Sequence, residues 1–101
     1  MIDFDKIIGF EWDSGNGRKS EAKHGVTKVE AEEIFFNQPL LINLDQKHSD
    51  TEFRYLALGK TNKLRVLTVI FTLRQQNTLI RIISARDQHR KERLLYDQTN
   101  K

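Results

Sequence analysis

The sequence predicts an α+β fold, in which an antiparallel β-sheet meander carries two N-terminal helices and one C-terminal helix. Three observations support this fold class. The chain of 101 residues has the length of one domain, which we assign to residues 1–101. Segments rich in β-branched and aromatic residues fill most of the second half, and short polar loops separate them, as in strands joined by hairpins. Helix start signals stand near residues 13 and 27 and again after the last strand segment.

A short strand and a modest helix are predicted first. Residues 7–12 (Ile-Ile-Gly-Phe-Glu-Trp) are apolar and aromatic enough for a strand. Asp13 and Ser14 then offer side-chain oxygens that accept hydrogen bonds from the first amides of a helix. We expect that helix over residues 15–23, with Gly25 as its left-handed C-cap.

The second helix has the stronger start signal. Residues 27–30 (Thr-Lys-Val-Glu) form a capping box, and Val26 and Ala31 stand at the spacing of a hydrophobic staple. The helix is predicted to run to about Phe36 and to end before Pro39. We expect its glutamates to form a solvated acidic face; they are Glu30, Glu32 and Glu33.

Four strands and a helix are predicted for the rest of the chain. The strands are residues 40–44, 52–59, 63–73 and 78–84, with polar loops at 45–50, 59–62 and 74–77. The strand at 63–73 is apolar on both faces, which is typical of a central strand covered on both sides. Residues 84–87 (Ser-Ala-Arg-Asp) have the S-x-x-D form of an N-cap signal and predict a last helix to about Tyr96.

Composition excludes several classes of protein. The chain has no cysteine, which rules out disulfides and cysteine-based zinc sites. No apolar run approaches the roughly 18 residues of a membrane span, and no signal peptide is recognisable, so we expect a cytoplasmic protein. The three histidines, His24, His48 and His89, match no local metal motif, and we expect no cofactor.

The charges are divided unevenly along the chain. Residues 1–50 carry 6 basic and 10 acidic side chains, whereas residues 51–101 carry 11 basic and 4 acidic ones. Six cations fall between residues 74 and 93: Arg74, Arg81, Arg86, Arg90, Lys91 and Arg93. Arginine favours phosphate because its planar fork binds two oxygens at once. The charge pattern alone leaves two alternatives open: a nucleic-acid-binding surface, or a helix with internal ion pairs and arginines for an acidic protein partner.

Several segments together resemble a known family. They are Glu11-Trp12-Asp13, Lys23-His24-Gly25-Val26, Glu30-Ala31, Ile34-Phe35, Asp45 to Asp50 before Glu52-Phe53-Arg54, Ala57-Leu58-Gly59, Val69-Ile70-Phe71-Thr72, Arg81 to Arg86, and Glu92-Arg93 with Tyr96. In this order they resemble the BrnT-type toxins of type II toxin–antitoxin systems, from about residue 8 to residue 96. One stretch departs from the family pattern. Residues 72–77 keep Arg74 but lack the acidic residue and the glycine usual beside it.

The resemblance implies a RelE-like fold and a small ribonuclease that arrests translation by cutting RNA. It also implies a cognate antitoxin, usually of the ribbon-helix-helix type, that neutralises the toxin, forms a heterotetramer with it and represses the shared operon. DNA would then be contacted only through the antitoxin. The alternative is a non-catalytic interaction protein that uses the same arginines to hold an acidic partner or nucleic acid.

RNA can be cleaved without metal because its own 2′-hydroxyl can attack the adjacent phosphate. Such an enzyme needs cations at the phosphate, a base and an acid. Arg54 and Arg81 on strands and Arg86 at the start of the last helix are candidates for the cations. Glu52, expected on the same strand face as Arg54, and His24, at a helix C-terminus that favours its charged form, are candidates for the base and the acid. The candidate RNA-binding residues are Lys23, Arg74, Arg90 and Arg93.

Overall fold

A five-stranded mixed β-sheet forms the centre of the fold, with helices packed on both of its faces. The computed structural model describes residues 2–13, 15–17, 19–45 and 52–99. Ser14 and the predicted loop at 46–50, with His48, lie outside the described residues. The strands are β1 (Gly9–Phe10), β2 (Leu41–Leu44), β3 (Tyr55–Lys60), β4 (Val66–Arg74) and β5 (Leu79–Asp87). The helices are α1 (Lys19–His24), α2 (Lys28–Glu33) and α3 (Arg90–Thr99), with 3₁₀ helices at Phe4–Lys6 and Ile34–Phe36.

The strand order is β1-β5-β4-β3-β2. Strands β2 to β5 pair antiparallel in sequence order, which confirms the predicted meander, and β4 is the central strand as expected. The prediction omitted one parallel pairing, because β1 lies parallel to β5 and pairs through Gly9 with Leu79 and Phe10 with Ile80. The predicted strand at 7–12 is therefore only two residues long.

A β-bulge interrupts the pairing of β4 with β5. Ile70 pairs with Ser84, and the next residue, Phe71, pairs with Ile82. Ile83 is thus one extra residue in β5, which shifts the alternation of side chains beyond it by one position. This shift decides which face the arginines of β5 occupy.

The main hydrophobic core lies between α2, the following 3₁₀ helix and one face of the sheet. Phe71 is its centre: Tyr55 stacks on it with ring centroids 5.4 Å apart, and Phe35 meets it edge-on at 5.2 Å. Gly59 lets the backbone of β3 approach Ile34, because a Cβ built there would lie 2.8 Å from the Cβ of Ile34. The same face carries the buried side chains Ala57, Leu67, Val69, Ile80, Ile82 and Ala85.

Helix α3 covers part of the opposite face of the sheet. Its one buried residue, Tyr96, is fully enclosed, and its hydroxyl donates a 2.7 Å hydrogen bond to the carbonyl of Pro39. Because the ring is enclosed and its hydroxyl is satisfied, Tyr96 anchors α3 to the β2 side of the molecule.

The local helix signals are confirmed. The Thr27 hydroxyl accepts from the Glu30 amide at 3.1 Å, and the Glu30 carboxylate accepts from the Thr27 amide at 3.0 Å, which completes the capping box. Val26 and Ala31 are both buried in the core, as the staple predicts. Gly25 follows α1 with a φ of 67°, the left-handed conformation expected of a C-cap glycine.

The first helix is shorter than predicted. Residues 15–17 form a turn, and α1 begins at Lys19. Asp13 stabilises the turn, because its carboxylate accepts from the Gly15 amide at 2.7 Å and its carbonyl accepts from the Gly17 amide at 2.8 Å.

The predicted start of the last helix is wrong. Residues 84–87 belong to β5 and pair with β4, and the helix begins at Arg90. The pairing continues past the strand end, where the Gln88 amide donates to the Val66 carbonyl at 3.2 Å. Sheet pairing and the complete burial of Ala85 thus prevail over a local N-cap signal.

Three further predicted strand positions are corrected. The strand expected at 52–59 begins at Tyr55, so Glu52 and Arg54 precede it. Arg65 precedes β4 and lies in the loop between β3 and β4. The loop between β4 and β5 holds three consecutive left-handed residues, Gln75, Gln76 and Asn77. No helix among the described residues is long and apolar enough to cross a membrane.

Candidate functional site

Arg81 and Arg86 point to the same face of the sheet, the one that α3 partly covers. Arg81 pairs across the strands with Thr72, and Arg86 pairs with Thr68. The two threonines are four residues apart on β4 and therefore share a face. The arginines are five positions apart, which would put them on opposite faces of a regular strand. The extra residue of the bulge, Ile83, puts them on the same face. The sheet thus brings together two of the three proposed phosphate-binding arginines.

A carboxylate of α3 holds Arg86. Its Nη1 and Nη2 donate to the two carboxylate oxygens of Glu92 at 2.8 and 3.1 Å, and Nη1 also donates to the Asp87 carbonyl at 3.2 Å. The Thr68 hydroxyl and the His89 amide donate to the same carboxylate at 2.9 and 2.7 Å. Glu92 therefore receives hydrogen bonds from a strand, a helix cap and the arginine.

The pKa of Glu92 is far below its ordinary value. Burial alone would raise that pKa, but the hydrogen bonds from Arg86, the His89 amide and Thr68 outweigh burial and lower it to about 2. Glu92 is therefore anionic at neutral pH, and its charge keeps the Arg86 guanidinium in place.

Two carboxylates near β1 hold Arg81. Its Nη1 donates to Glu11 at 2.8 Å and to Asp13 at 2.9 Å, and its Nη2 donates to the other Asp13 oxygen at 3.2 Å. The hydrogen bond from Arg81, together with that from the Gly15 amide, lowers the pKa of Asp13. Arg81 is therefore a partly buried arginine held by acids from the start of the chain.

Arg54 lies at the entrance to β3, next to the row that contains Arg81. The Thr72 hydroxyl donates to the Phe53 carbonyl at 2.6 Å, and the Arg54 carbonyl accepts from the Asp45 amide at 2.7 Å. The backbone at 53–54 therefore runs beside the Thr72–Arg81 pair.

Glu52 is not on a strand face with Arg54, contrary to the prediction. It lies in a bend and forms an ion pair with Arg74 at the end of β4. Both side chains are about one-third exposed. Glu52, the candidate base, and Arg74, a candidate RNA contact, are therefore paired with each other.

His24 and Lys23 end α1, away from the face of Arg81 and Arg86. The hydrogen bond from Arg65 lowers the pKa of Asp87, and the charges of Arg65, Arg93 and His24 act in the same direction. His24 is thus near Asp87, whose side chain points to the face opposite Arg86 because the two are consecutive in β5. The sheet does not place His24 beside the two arginines.

The remaining candidates lie on α3. Arg90 and Arg93 are exposed in its first turns, and Arg93 donates to the Gln88 carbonyl at 2.9 Å. Arg86, which was expected at the start of the last helix, belongs instead to β5.

Sequence reasoning missed an ion-pair cluster around Arg65. This arginine donates to Asp87 at 2.7 and 3.1 Å, to Glu30 at 3.0 Å and to the Gly25 carbonyl at 3.0 Å. These bonds, from Asp87 above all, raise the pKa of Arg65. Its partners are distant in sequence, so no local spacing signalled them.

The acidic face expected on α2 is also wrong, because its glutamates have protein partners. Glu30 pairs with Arg65, Glu32 accepts from the Trp12 indole at 2.6 Å, and Glu33 accepts from the Asn62 amide at 3.1 Å. Among the residues that the structure describes, no group of three His, Cys, Asp or Glu side chains is arranged to hold a metal ion.

Comparison with known proteins identifies the family. The family described as "Ribonuclease toxin, BrnT, of type II toxin-antitoxin system" matches residues 12–92. The chain therefore belongs to the BrnT family of ribonuclease toxins.

One similar solved structure is that of the Brucella abortus ribonuclease toxin BrnT. It has a TM-score of 0.59 and 24% sequence identity, over 82% of this chain and 99% of that chain. This likeness supports the α+β fold with its five-stranded sheet and three helices. No match is found among curated protein sequences.

Proposed function

We propose that this chain is the toxin of a type II toxin–antitoxin pair and inhibits translation by cutting RNA without a metal ion. It acts as one domain over residues 1–101, in the cytoplasm. The observation that carries the proposal is the pair of arginines, Arg81 and Arg86, on one face of the sheet.

The proposed reaction is an internal phosphoryl transfer. A base removes the proton of the 2′-hydroxyl, O2′ attacks the adjacent phosphorus, and an acid protonates the departing 5′-oxygen. The products are a 2′,3′-cyclic phosphate and a 5′-hydroxyl. Arg81, Arg86 and Arg54 stabilise the negative charge that accumulates on the phosphate oxygens in the transition state.

Glu52 and His24 are the proposed base and acid. Glu52 forms an ion pair with Arg74, and His24 lies near Asp87. Lys23, Arg74, Arg90 and Arg93 are proposed to contact the RNA backbone on either side of the cut. An acid must lie within hydrogen-bond reach of the departing 5′-oxygen. His24 ends α1 away from Arg81 and Arg86, so its proposed role requires the end of α1 to move towards them when RNA binds.

The family implies an antitoxin partner, and we propose one of the ribbon-helix-helix type in a heterotetramer with this RelE-like toxin. An acidic antitoxin segment over the arginine face would block RNA by occupying the same cations. Electrostatic attraction of this kind gives fast, salt-sensitive association.

The test is cleavage of RNA by the purified protein in excess EDTA. We expect cleavage that leaves 2′,3′-cyclic phosphate ends, detected by mass spectrometry, and its suppression by the co-expressed antitoxin. RNA that remains intact under all conditions contradicts the ribonuclease proposal and favours a binding protein. Cleavage that requires an added divalent metal contradicts only the proposed mechanism.

A further inference from the structure

We infer that Glu92 is a positioning residue for Arg86: it fixes one edge of the guanidinium so that the Nε–Nη2 edge faces the phosphate. This inference rests on the proposed ribonuclease function. It concerns a residue that would touch no substrate atom and would act through Arg86.

The hydrogen bonds of Arg86 leave one edge for a ligand. A guanidinium has five N–H donors in a fixed plane. Glu92 takes one from Nη1 and one from Nη2, and the Asp87 carbonyl takes the second from Nη1. The Nε–H and the second Nη2–H have no acceptor among the residues that the structure describes. These two N–H bonds are parallel, which is the geometry that binds two phosphate oxygens.

Glu92 is itself held from three sides. Its Oε1 accepts from the Thr68 hydroxyl on β4 and from the His89 amide at the N-terminus of α3. Its side chain is 19% exposed, so little solvent competes for the Arg86 contact. Movement of the carboxylate would break a helix cap and a contact to the central strand, which keeps the guanidinium plane in one orientation.

The environment of Arg81 repeats this arrangement. Asp13 accepts from both Nη1 and Nη2, and Glu11 takes the second N–H of Nη1. Described residues therefore engage the same three donors in both arginines. Both arginines lie on one face, and in each a carboxylate binds the Nη1–Nη2 end of the guanidinium. Ordinary surface ion pairs would not need to share this orientation.

The test uses Glu92→Gln, which keeps the shape and one acceptor oxygen but replaces the other oxygen with an NH₂ donor and removes the charge. The matched control is Glu30→Gln, because Glu30 also caps a helix at its third residue and also binds an arginine, Arg65. Cleavage rates in EDTA and the affinity for a non-cleavable 2′-O-methyl RNA are measured for both variants, for Arg86→Ala and for the Glu92→Gln/Arg86→Ala double variant. Thermal unfolding identifies a temperature at which all are folded.

We expect Glu92→Gln to lower kcat about 10- to 100-fold, because a small misplacement of a catalytic group has an effect of this size. Glu30→Gln should cleave like the unmodified protein. In the Arg86→Ala background, Glu92→Gln should add no further loss in cleavage or in affinity, because the residue through which it acts is gone. A purely structural role would instead give losses that multiply.

Two results overturn the inference while the proposed function stands: unchanged cleavage by Glu92→Gln, or an equal loss with and without Arg86. If the unmodified protein neither binds nor cleaves RNA, the proposed function fails and the inference fails with it. If it binds RNA without cleaving, the affinities alone decide the role of Glu92 by the same comparison.

Discussion

At the scale of single residues, the acids that hold the arginines determine how much of each guanidinium is left for a ligand. Arg86 is held by Glu92, and Arg81 by Glu11 and Asp13. The attraction in such partly buried pairs is offset by the loss of water around both charges, so they contribute little net stability. Their value lies in orientation, which a phosphate-binding site needs and a free surface arginine lacks.

The lowered pKa of Glu92 predicts an acid-sensitive component of stability. Because the folded-state pKa is about 2 and the ordinary value is 4.5, the ionised carboxylate stabilises the fold above about pH 4.5. This contribution is lost as the pH falls towards 2. Solvent screening reduces it to about 1–2 kcal/mol.

Urea unfolding between pH 7 and pH 2 measures this effect. The unfolding free energy of the unmodified protein should decline more steeply below pH 5 than that of Glu92→Gln. The comparison is needed because Asp13, Glu30 and Asp87 also have lowered pKa values and decline in the same direction. Parallel pH profiles for the two proteins would contradict the lowered pKa of Glu92.

At the scale of elements, one extra residue in β5 organises the candidate site. Ile83 forms the bulge that lets Arg81 and Arg86, five residues apart, share a face. Bulges are frequent near functional sites because they redirect side chains without ending a strand. The period-2 pattern of a sequence has no signal for such a bulge, so the shared face was beyond prediction.

The helix signals gave correct predictions where the residues that form the cap are close together in the sequence. The capping box at 27–30 and the Gly25 cap depend on residues within four positions of each other, and both are confirmed. The signal at 84–87 failed because those residues pair with β4, whose position depends on the whole sheet. The true end of β5 is followed by a cap from Glu92 to His89.

Strand β3 comes close to the 3₁₀ helix at Ile34, so we expect that replacing Gly59 with a larger residue destabilises the fold. In Gly59→Ala the new Cβ would lie 2.8 Å from the Ile34 Cβ, and we expect a loss of about 1–3 kcal/mol from overpacking. Gly9→Ala is the control, since its Cβ would meet only Leu79 at an ordinary 3.7 Å. Chemical denaturation measures both, and equal stability of the two variants would refute the packing argument.

At the scale of the whole molecule, ion pairs connect the acidic first half of the chain to the basic second half. Acids of the first half pair with arginines of the second, as Glu11 and Asp13 do with Arg81 and Glu30 does with Arg65. The sequence predicted the basic surface but assigned the acids to solvent. Contacts between residues up to 70 positions apart leave no local pattern in a sequence, so the acidic partners of the arginines became apparent only in the folded chain.

The central claim is that Arg81 and Arg86 together form the phosphate-binding part of a metal-independent ribonuclease. The most direct measurement is the rate of RNA cleavage in EDTA for Arg81→Ala, Arg86→Ala and the control Arg65→Ala, at a temperature where all are folded. Arg65 is a suitable control because it is also paired with two acids but lies outside the proposed site. We predict that Arg81→Ala and Arg86→Ala each lose about 100-fold or more in rate, whereas Arg65→Ala retains the rate of the unmodified protein. Equal rates for all three variants would contradict the claim.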